Sequence, residues 1–168
     1  VCTQILIDEF KVEAVINTGI AGSLNADINI GDIVISTDLV HHDMNAVAFG
    51  YPVGQVPQMD AFSFESDEAL RKIAVKACKD VNPDIEVYEG RIASGDQFVA
   101  DQAVKDRIVK DFGAYAVEME GASIAHTAYL NHIPFLVVRA ISDKADGSAE
   151  MDYPTFEAMA AEHSVKMT

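Results

Sequence analysis

Short apolar runs alternate along this chain with segments of helical periodicity, and this alternation limits the possible folds more than any other feature of the sequence. The clearest run is residues 133–141, and the others are residues 12–17, 30–36, 38–42, 85–93 and 114–117. Strands that alternate with helices form a mainly parallel sheet with helices on both faces. The sequence therefore predicts an α/β fold with a mixed, mainly parallel central sheet flanked by helices.

Helical periodicity predicts helices over residues 66–80, from Asp101, from Gly121 and from Pro154. The Asp101 side chain can cap its own helix. The last helix would carry on its apolar face Phe156, Met159, Ala160, His163 and Met167. Residues 43–64 contain several Gly and Pro and are predicted to form a long loop.

The apolar run at residues 12–17 is predicted to be a buried strand that feeds a glycine loop from Thr18 onwards. This loop lacks the three-glycine dinucleotide fingerprint and the Gly-Lys-Ser/Thr ending of a P-loop. Gly19 and Gly22 either form a tight turn or let the backbone approach a ligand where a side chain would clash. The sequence leaves both interpretations open.

Nothing in the sequence divides the chain, since it has no internal repeat, low-complexity segment or linker composition. A single domain over residues 1–168 is expected at this length. The chain begins without Met and partway through an amphipathic helix, and an α/β domain normally supplies a strand before such a helix. The domain is therefore expected to be incomplete at its N-terminus.

Composition and charge argue against several classes of function. Lys and Arg number 12 against 27 Asp and Glu, and this net charge of −15 argues against nucleic acid as a partner. No apolar run approaches the roughly 20 residues that span a bilayer, so no membrane partner is expected. Cys2 and Cys78 have no paired-cysteine spacing, so neither a disulfide framework nor a zinc site is indicated. A protein without disulfides fits a reducing cytoplasm.

Side chains that can bind or react follow four of the predicted strands. In α/β sheets, ligands bind at the carboxyl ends of strands, in the loops that follow them. The loops in question are residues 17–23, 94–98, 118–120 and 142–143. Their convergence at one edge of the sheet is the main indication of a binding site.

Each of these motifs also has a structural explanation. Asp143 at a strand end could cap a turn, or could donate a proton inside a dry cleft. Glu118 and Glu120 could stabilise a helix N-terminus, or a carboxylate there could accept two ribose hydroxyls. His41 and His42 are adjacent on a strand and point to opposite faces, so no metal site is predicted from them.

In this order the motifs resemble the nucleoside phosphorylase and hydrolase superfamily, and more closely the bacterial 5′-methylthioadenosine/S-adenosylhomocysteine nucleosidases. The matching segments are residues 15–22, 30–34, 42–43 with 48–51, 94–96, 117–120 and 138–143. Six motifs in order, through essentially the whole chain, are far more specific than any one of them. The resemblance implies a nucleoside phosphorylase-like fold, a purine nucleoside as substrate, and no metal or organic cofactor.

The resemblance also implies the catalytic groups. Asp143 would donate a proton or hydrogen bond to N7 of the purine as the glycosidic bond breaks, with Ser142 orienting it. Glu120 would hold the ribose hydroxyls and stabilise the positive charge that develops on the sugar. Arg139 would lie near the nucleophilic water.

Further residues are implied as substrate contacts. Phe98 would stack on the adenine, and the backbone of Val99 would read its edge. Glu118 and Met119 would also contact the substrate, with Met119 packed on the sugar. The pocket for the 5′-substituent would lie partly across a dimer interface and be bordered by Phe49, Tyr51 and Pro57.

Water is the nucleophile that the resemblance favours. The related phosphorylases carry an Arg and a Ser in the first glycine loop, where this chain has Asn17 and Ile20. Neither side chain binds an oxyanion through a charge or a hydroxyl, so Ile20 would line the substrate site without holding phosphate. In the family a Glu near the end of the first strand activates the water. That segment would precede Val1, so the expected base is missing from this sequence.

The expected reaction is hydrolysis of methylthioadenosine or S-adenosylhomocysteine to adenine and a thioribose, by a cytoplasmic homodimer. One alternative is another purine nucleosidase or phosphorylase of the same fold, acting on adenosine, futalosine or AMP. AMP would need a basic pocket for its phosphate, and residues 43–64 contain no Lys or Arg. Another alternative is a catalytically inactive nucleoside-binding fragment. The sequence does not rank the two thio-nucleosides.

Overall fold

The computed structural model describes residues 1–144. Its helices are α1 Cys2–Phe10, α2 Glu68–Val81, α3 Gln102–Phe112 and α4 Gly121–Leu130, with a short 3₁₀ turn at Val47–Phe49. Its strands are β1 Val15–Ser23, β2 Ile33–His41, β3 Phe64–Glu65, β4 Val87–Ser94, β5 Ala116–Glu118 and β6 Phe135–Asp143. The helix predicted from Pro154 lies outside the described residues.

The six strands form one mixed sheet in the order β3-β2-β4-β5-β1-β6. The long ladders β1–β6 and β2–β4 are parallel, and so is β4–β5, whereas β1–β5, β2–β3 and β2–β6 are antiparallel. The α/β fold class with a mixed, mainly parallel sheet is therefore confirmed. The additional β2–β6 pairing closes the sheet on itself, a feature that the apolar pattern of the sequence does not specify.

Two of the predicted boundaries around β1 and β2 are wrong. The glycine segment from Thr18 is part of β1, because its backbone pairs with β6 as far as Gly22. The apolar runs at 30–36 and 38–42 form the single strand β2, with an irregularity in its pairing to β4 between Ser36 and Leu39. An irregular register interrupts the alternation of apolar residues without ending the strand.

The long segment 43–64 is irregular, as predicted, apart from the turn Val47–Phe49 and the start of β3. β3 pairs with the edge of β2 over only two residues, Phe64 and Glu65. Helix α2 is confirmed, and so are the start of α3 and the N-cap role of Asp101, whose carboxylate accepts from the Val104 N–H at 3.1 Å. Within the described part of the chain, no helix is both long and apolar enough to cross a membrane.

The helices cover the sheet with three apolar clusters. α4 packs with its small residues Ala122, Ala125 and Ala128 against the sheet. α2 places Cys78 and Leu70 on Leu136 and Val138 of β6. α3 contributes Ile108 and Phe112 to a cluster that includes Val40, Ala93, Val99 and Val117. This packing fixes the ends of β1, β4, β5 and β6, where the candidate site lies.

Candidate active site

A cavity of about 350 Å³ opens where the carboxyl-terminal halves of β1 and β6 lie side by side. Four predicted loops contribute to it or to its margin, which confirms that they converge. Its walls are formed by Asn17, Thr18, Gly19, Ile20, Ala21, Gly22, Phe98, Val117, Glu118, Met119, Glu120, Arg139, Ser142 and Asp143. Apolar and ionisable side chains therefore share one concave site, as is usual for small-molecule binding.

Gly19 and Gly22 make room for side chains of β6. A Cβ at Gly19 would collide with the guanidinium of Arg139, its register partner. A Cβ at Gly22 would lie 3.0 Å from both carboxylate oxygens of Asp143. The two glycines thus let β1 approach the functional groups of the protein itself. The tight-turn interpretation is wrong, since both residues lie within a strand.

A β-bulge at the end of β6 directs two consecutive side chains into the cavity. Ala21 pairs with Ile141 and Gly22 with Asp143, so that Ser142 is the extra residue. Consecutive side chains of a regular strand point to opposite faces, and a bulge breaks that rule. Both Ser142 and Asp143 consequently line the cavity, and the Ser142 hydroxyl donates to Asp143 Oδ1 at 3.0 Å.

A buried ion pair forms the floor of the cavity. Arg139 and Glu118 are each only 2% exposed in their side chains and are in direct contact. The Arg139 guanidinium also donates to the Asn17 side-chain oxygen at 2.6 Å. Glu118 further accepts from the Ser94 hydroxyl and from the Gly121 N–H, at 2.8 Å to Oε2. Because both side chains are buried, each of these bonds contributes to keeping the pair in place, since an unpartnered buried charge would be costly.

The two acids of the 118–120 motif are in opposite environments. Glu118 is buried, and both its oxygens already accept hydrogen bonds from the protein. The Glu120 side chain is 66% exposed, and its closest cation is Arg139 at 3.7 Å. Met119 between them is 42% exposed. Of the two carboxylates, Glu120 is the one with free lone pairs to offer to a ligand.

The loop after β4 is held from below by the loop after β2. Asp43 accepts from the Asp96 N–H at 2.7 Å, and the Glu118 carbonyl accepts from the Gly95 N–H at 3.2 Å. Phe98, farther along this loop, is 60% exposed at the cavity wall. Val99 is buried and lines a small adjoining recess of about 30 Å³. An exposed aromatic face on a fixed loop suits the stacking of a flat ligand.

His42 lies beneath the same loop and is almost completely buried. Burial lowers the pKa of His42, with the Asp43 carboxylate acting in the opposite direction. Burial also lowers the pKa of His41 and of His126, whose ring stacks on Phe64. Among residues 1–144, no group of three or more His, Cys, Asp and Glu side chains is arranged to hold a metal ion.

The structure brings most of the predicted site residues together. The cavity wall includes Ile20, Phe98, Glu118, Met119, Glu120, Arg139, Ser142 and Asp143, and Val99 lies at the adjoining recess. The cavity does not include Phe49, Tyr51 and Pro57. Phe49 is 84% exposed, and the Tyr51 hydroxyl accepts from the Gln58 N–H at 3.1 Å within the same loop.

Sequence reasoning missed Lys105, which lies behind Asp143. Lys105 is 4% exposed, and its ammonium donates to Asp143 Oδ2 at 3.2 Å. The sequence analysis named no role for Lys105, and its neighbour Val104 on the same helix is only half-buried. Its spacing was the available signal, since Lys105 lies three residues before Ile108 and seven before Phe112 on the buried face.

The cavity joins an acid, an arginine and an exposed aromatic ring at the strand ends of a closed mixed sheet. The model of the phosphorylase superfamily matches residues 1–168. The chain belongs to this family.

Individual relatives narrow the comparison to particular enzymes within the family. The chain is 39% identical over 189 residues to a 5′-methylthioadenosine/S-adenosylhomocysteine nucleosidase of Treponema pallidum, with 99% of this chain and 70% of that protein covered. A nucleosidase of the same name from Neisseria meningitidis, solved in complex with methylthio-immucillin-A, is 42% identical with a TM-score of 0.90. That match covers 98% of this chain and 71% of the other. Futalosine hydrolase of Helicobacter pylori is 38% identical with a TM-score of 0.88, covering 99% and 72%.

Proposed function

We propose that this protein is a purine nucleosidase that hydrolyses the N-glycosidic bond of 5′-methylthioadenosine and S-adenosylhomocysteine, releasing adenine and the thioribose. The observation that carries the proposal is the placement of Asp143. Its carboxyl group ends β6, lies in the cavity beside Ser142, and shares that cavity with Phe98 and Glu120. The names of the relatives supply the substrate.

Asp143 acts in this proposal as the general acid. Breaking an N-glycosidic bond leaves a purine anion and an oxocarbenium-like sugar, and protonation of the purine at N7 makes it a better leaving group. The carboxyl oxygens of Asp143 are the acid groups that β6 directs into the cavity. General acid catalysis of this kind contributes roughly 100- to 10,000-fold to the rate.

The other residues that line the cavity contact either the purine or the sugar in this proposal. Phe98 stacks on the adenine, and the backbone of Val99 reads the edge of the ring. Glu120 accepts hydrogen bonds from the two ribose hydroxyls, since its oxygens are not consumed by the protein. Met119 packs against the sugar. The negative charge of Glu120 also favours the positive charge that develops on the ribose in the transition state.

The cavity favours water over phosphate as the nucleophile. Among the described residues that line it, Arg139 is the only cation. Its guanidinium is already in contact with Glu118 and Asn17, and both are acceptors that a phosphate would have to displace. Ile20 offers no hydroxyl in the same wall. An arginine neutralised by a buried carboxylate has little charge left for an oxyanion.

The test is adenine release from methylthioadenosine, followed in buffers with and without phosphate, together with calorimetric binding of adenine to the same protein. Release that does not depend on phosphate, with free thioribose as the second product, supports hydrolysis. Release only with phosphate and formation of a sugar 1-phosphate contradict it in favour of a phosphorylase. Adenine binding without release contradicts turnover and supports the nucleoside-binding alternative.

A second substrate, futalosine, is favoured by the similarity to the Helicobacter pylori futalosine hydrolase. Its test is the ratio of kcat/KM for methylthioadenosine to that for futalosine. A ratio above one supports the thio-nucleoside as the main substrate. AMP is disfavoured because segment 43–64 carries no cation for its 5′-phosphate.

The proposed enzyme is a homodimer. In it, the 5′-substituent pocket of each protomer is bordered by Phe49, Tyr51 and Pro57 of its partner. Phe49 and Val47 are 84% and 51% exposed on a turn outside the cavity of their own chain. Exposed apolar side chains grouped on one turn are typical of an interaction surface. In the proposed dimer this turn closes the 5′-substituent pocket of the partner, and the dimer works in the cytoplasm. Sedimentation equilibrium tests the oligomeric state.

A further inference from the structure

Lys105 is a buried cation that the chemistry proposed above does not use. Of the lysines in residues 1–144, it is the one whose side chain is buried. It projects from the inner face of α3 together with Ile108 and Phe112. A buried ammonium is costly unless it is paired and hydrogen-bonded, so its partners indicate what it is for.

The partners of Lys105 are two consecutive residues at the end of β6. Its ammonium donates to Asp143 Oδ2 at 3.2 Å and to the Lys144 carbonyl at 3.0 Å. Ser142 donates to the other oxygen, Oδ1, at 3.0 Å. Lys105 itself is absent from the cavity wall, so it approaches the carboxylate from behind. Each oxygen of Asp143 therefore has one protein donor and a remaining lone pair.

We propose that Lys105 is a positioning residue for the cleavage reaction, which holds the Asp143 carboxylate in place and stabilises the negative charge it acquires when its proton passes to N7 of the purine. This inference rests on the proposed function. In that step the O–H bond of Asp143 breaks, the N7–H bond forms, and the electron pair of the O–H bond stays on the carboxylate. A fixed ammonium next to the developing charge lowers the barrier without touching the substrate.

The alternative is that Lys105 only clamps the chain as it leaves β6, through the Lys144 carbonyl. The two roles differ in what they predict for ligands. A positioning role concerns the bond between Asp143 and position 7 of the purine. A clamp would affect every ligand and the stability of the fold alike.

Two deaza-purines separate these roles without relying on turnover. 9-Deazaadenine carries an N–H at position 7, which can donate to ionised Asp143, whereas 7-deazaadenine carries a C–H there. The affinities of both are measured by calorimetry for wild type, Lys105→Met and Lys110→Met. Lys110 is an exposed lysine on the same helix and serves as the matched control. Thermal unfolding is followed for each variant.

We expect Lys105→Met to weaken the binding of 9-deazaadenine at least about tenfold. A carboxylate that is no longer held in place loses its hydrogen bond to the N–H at position 7, and a hydrogen bond to a charged group is worth about that much. Binding of 7-deazaadenine should stay the same, and so should both affinities in Lys110→Met. In the turnover of methylthioadenosine, kcat should fall with KM little changed, and Lys105→Arg should restore most of it. If Lys105→Met does not fold, Lys105→Gln takes its place.

If Lys105→Met loses the same affinity for both deaza-purines, or loses none for either, the positioning role is overturned while the proposed purine site stands. A wild-type protein that binds neither deaza-purine would overturn the proposed function, and the role of Lys105 with it. Loss confined to 9-deazaadenine supports both.

Discussion

Side chains are buried at the floor of the cavity between β1 and β6, whereas they are exposed on the turn at Val47–Phe49. In the cavity, Arg139 and Glu118 are buried and bonded to each other. On the turn, Phe49 is 84% exposed, and the hydroxyl of the nearby Tyr51 accepts from the Gln58 N–H within its own loop. The first region is held together by bonds within the chain, whereas the second presents an apolar surface outward.

This difference separates the chemistry from the choice of substrate. The proposed acid, its neighbours and the aromatic ring proposed for the purine come from strand ends and from the loops that follow them. The residues expected at the 5′-substituent come from an irregular segment outside the cavity. Changes in the cavity should therefore act on catalysis and stability, and changes on the turn should act on assembly.

The largest effect is expected at Asp143. Asp143→Asn keeps the shape of the side chain but has no acidic proton to transfer to the purine, so adenine release from methylthioadenosine should fall by roughly 100- to 10,000-fold. Binding of adenine should be largely retained. Steady-state kinetics and calorimetry measure the two, with the exposed Asp111→Asn as control. Normal turnover by Asp143→Asn would show that another group is the acid.

The buried ion pair should dominate stability. Glu118→Gln and Arg139→Met each leave an unpaired group in a buried site, and the free energy of unfolding should fall by about 3–5 kcal/mol. Arg71→Met removes the partly exposed pair with Glu89 and should cost only about 0–1 kcal/mol. Chemical denaturation gives both values. Similar losses in the two pairs would contradict burial as the cause of the difference.

A single methyl group at Gly22 should disturb both stability and chemistry. The new Cβ of Gly22→Ala would lie 3.0 Å from the Asp143 oxygens, and such overpacking costs about 1–3 kcal/mol. Adenine release should fall because the carboxylate is displaced. Gly113→Ala is the control: its positive φ of 62° strains an alanine, but nothing lies within 4 Å of its Cβ. It should lose stability and keep kcat.

Stability should also depend on pH through the buried histidines. Burial lowers the pKa of His42 in the folded protein below the value of about 6.5 expected after unfolding. As pH falls through about 6.5, the unfolded chain takes up protons that the folded chain does not, so the free energy of unfolding decreases. Denaturation at about pH 7.5 and about pH 5.5 should show this loss.

A substitution at His42 should weaken the dependence of the free energy of unfolding on pH. His42→Gln removes one of the groups responsible, and His132→Asn, which removes an exposed histidine, is the control. An equal slope with pH in His42→Gln and wild type would remove His42 from the explanation.

The smallest effect on stability is expected on the turn. Phe49→Ala removes a side chain that contacts little of its own chain, so the free energy of unfolding of the monomer should change by no more than about 0.5 kcal/mol. Sedimentation equilibrium should show weaker self-association. A stable monomer in both wild type and variant would contradict the proposed dimer.

The sequence predicted the elements better than their assembly. Apolar runs marked every long strand, and helical spacing marked α2, α3 and α4, because both patterns depend on local burial. The convergence of the strand-end loops followed from the parallel sheet. Closure through β2–β6 did not, since only long-range backbone pairing determines it.

The site was predictable in its residue types and less so in its geometry. The motifs identified Asp143, Glu120 and Phe98, but not that Ser142 lies on a bulge or that Glu118 is fully bonded by the protein. Those properties depend on register and on atoms from other strands. Lys105 was missed because a charged residue in a helix is assigned to solvent until its partner is known.

The most direct test of Asp143 as the acid of a purine site is a crystal structure of the protein with adenine bound. The purine should lie against Phe98 in the cavity between β1 and β6. Its N7 should lie within about 3.2 Å of a carboxyl oxygen of Asp143, a hydrogen-bond distance. Adenine bound elsewhere, or bound in the cavity with N7 turned away from Asp143, would contradict it.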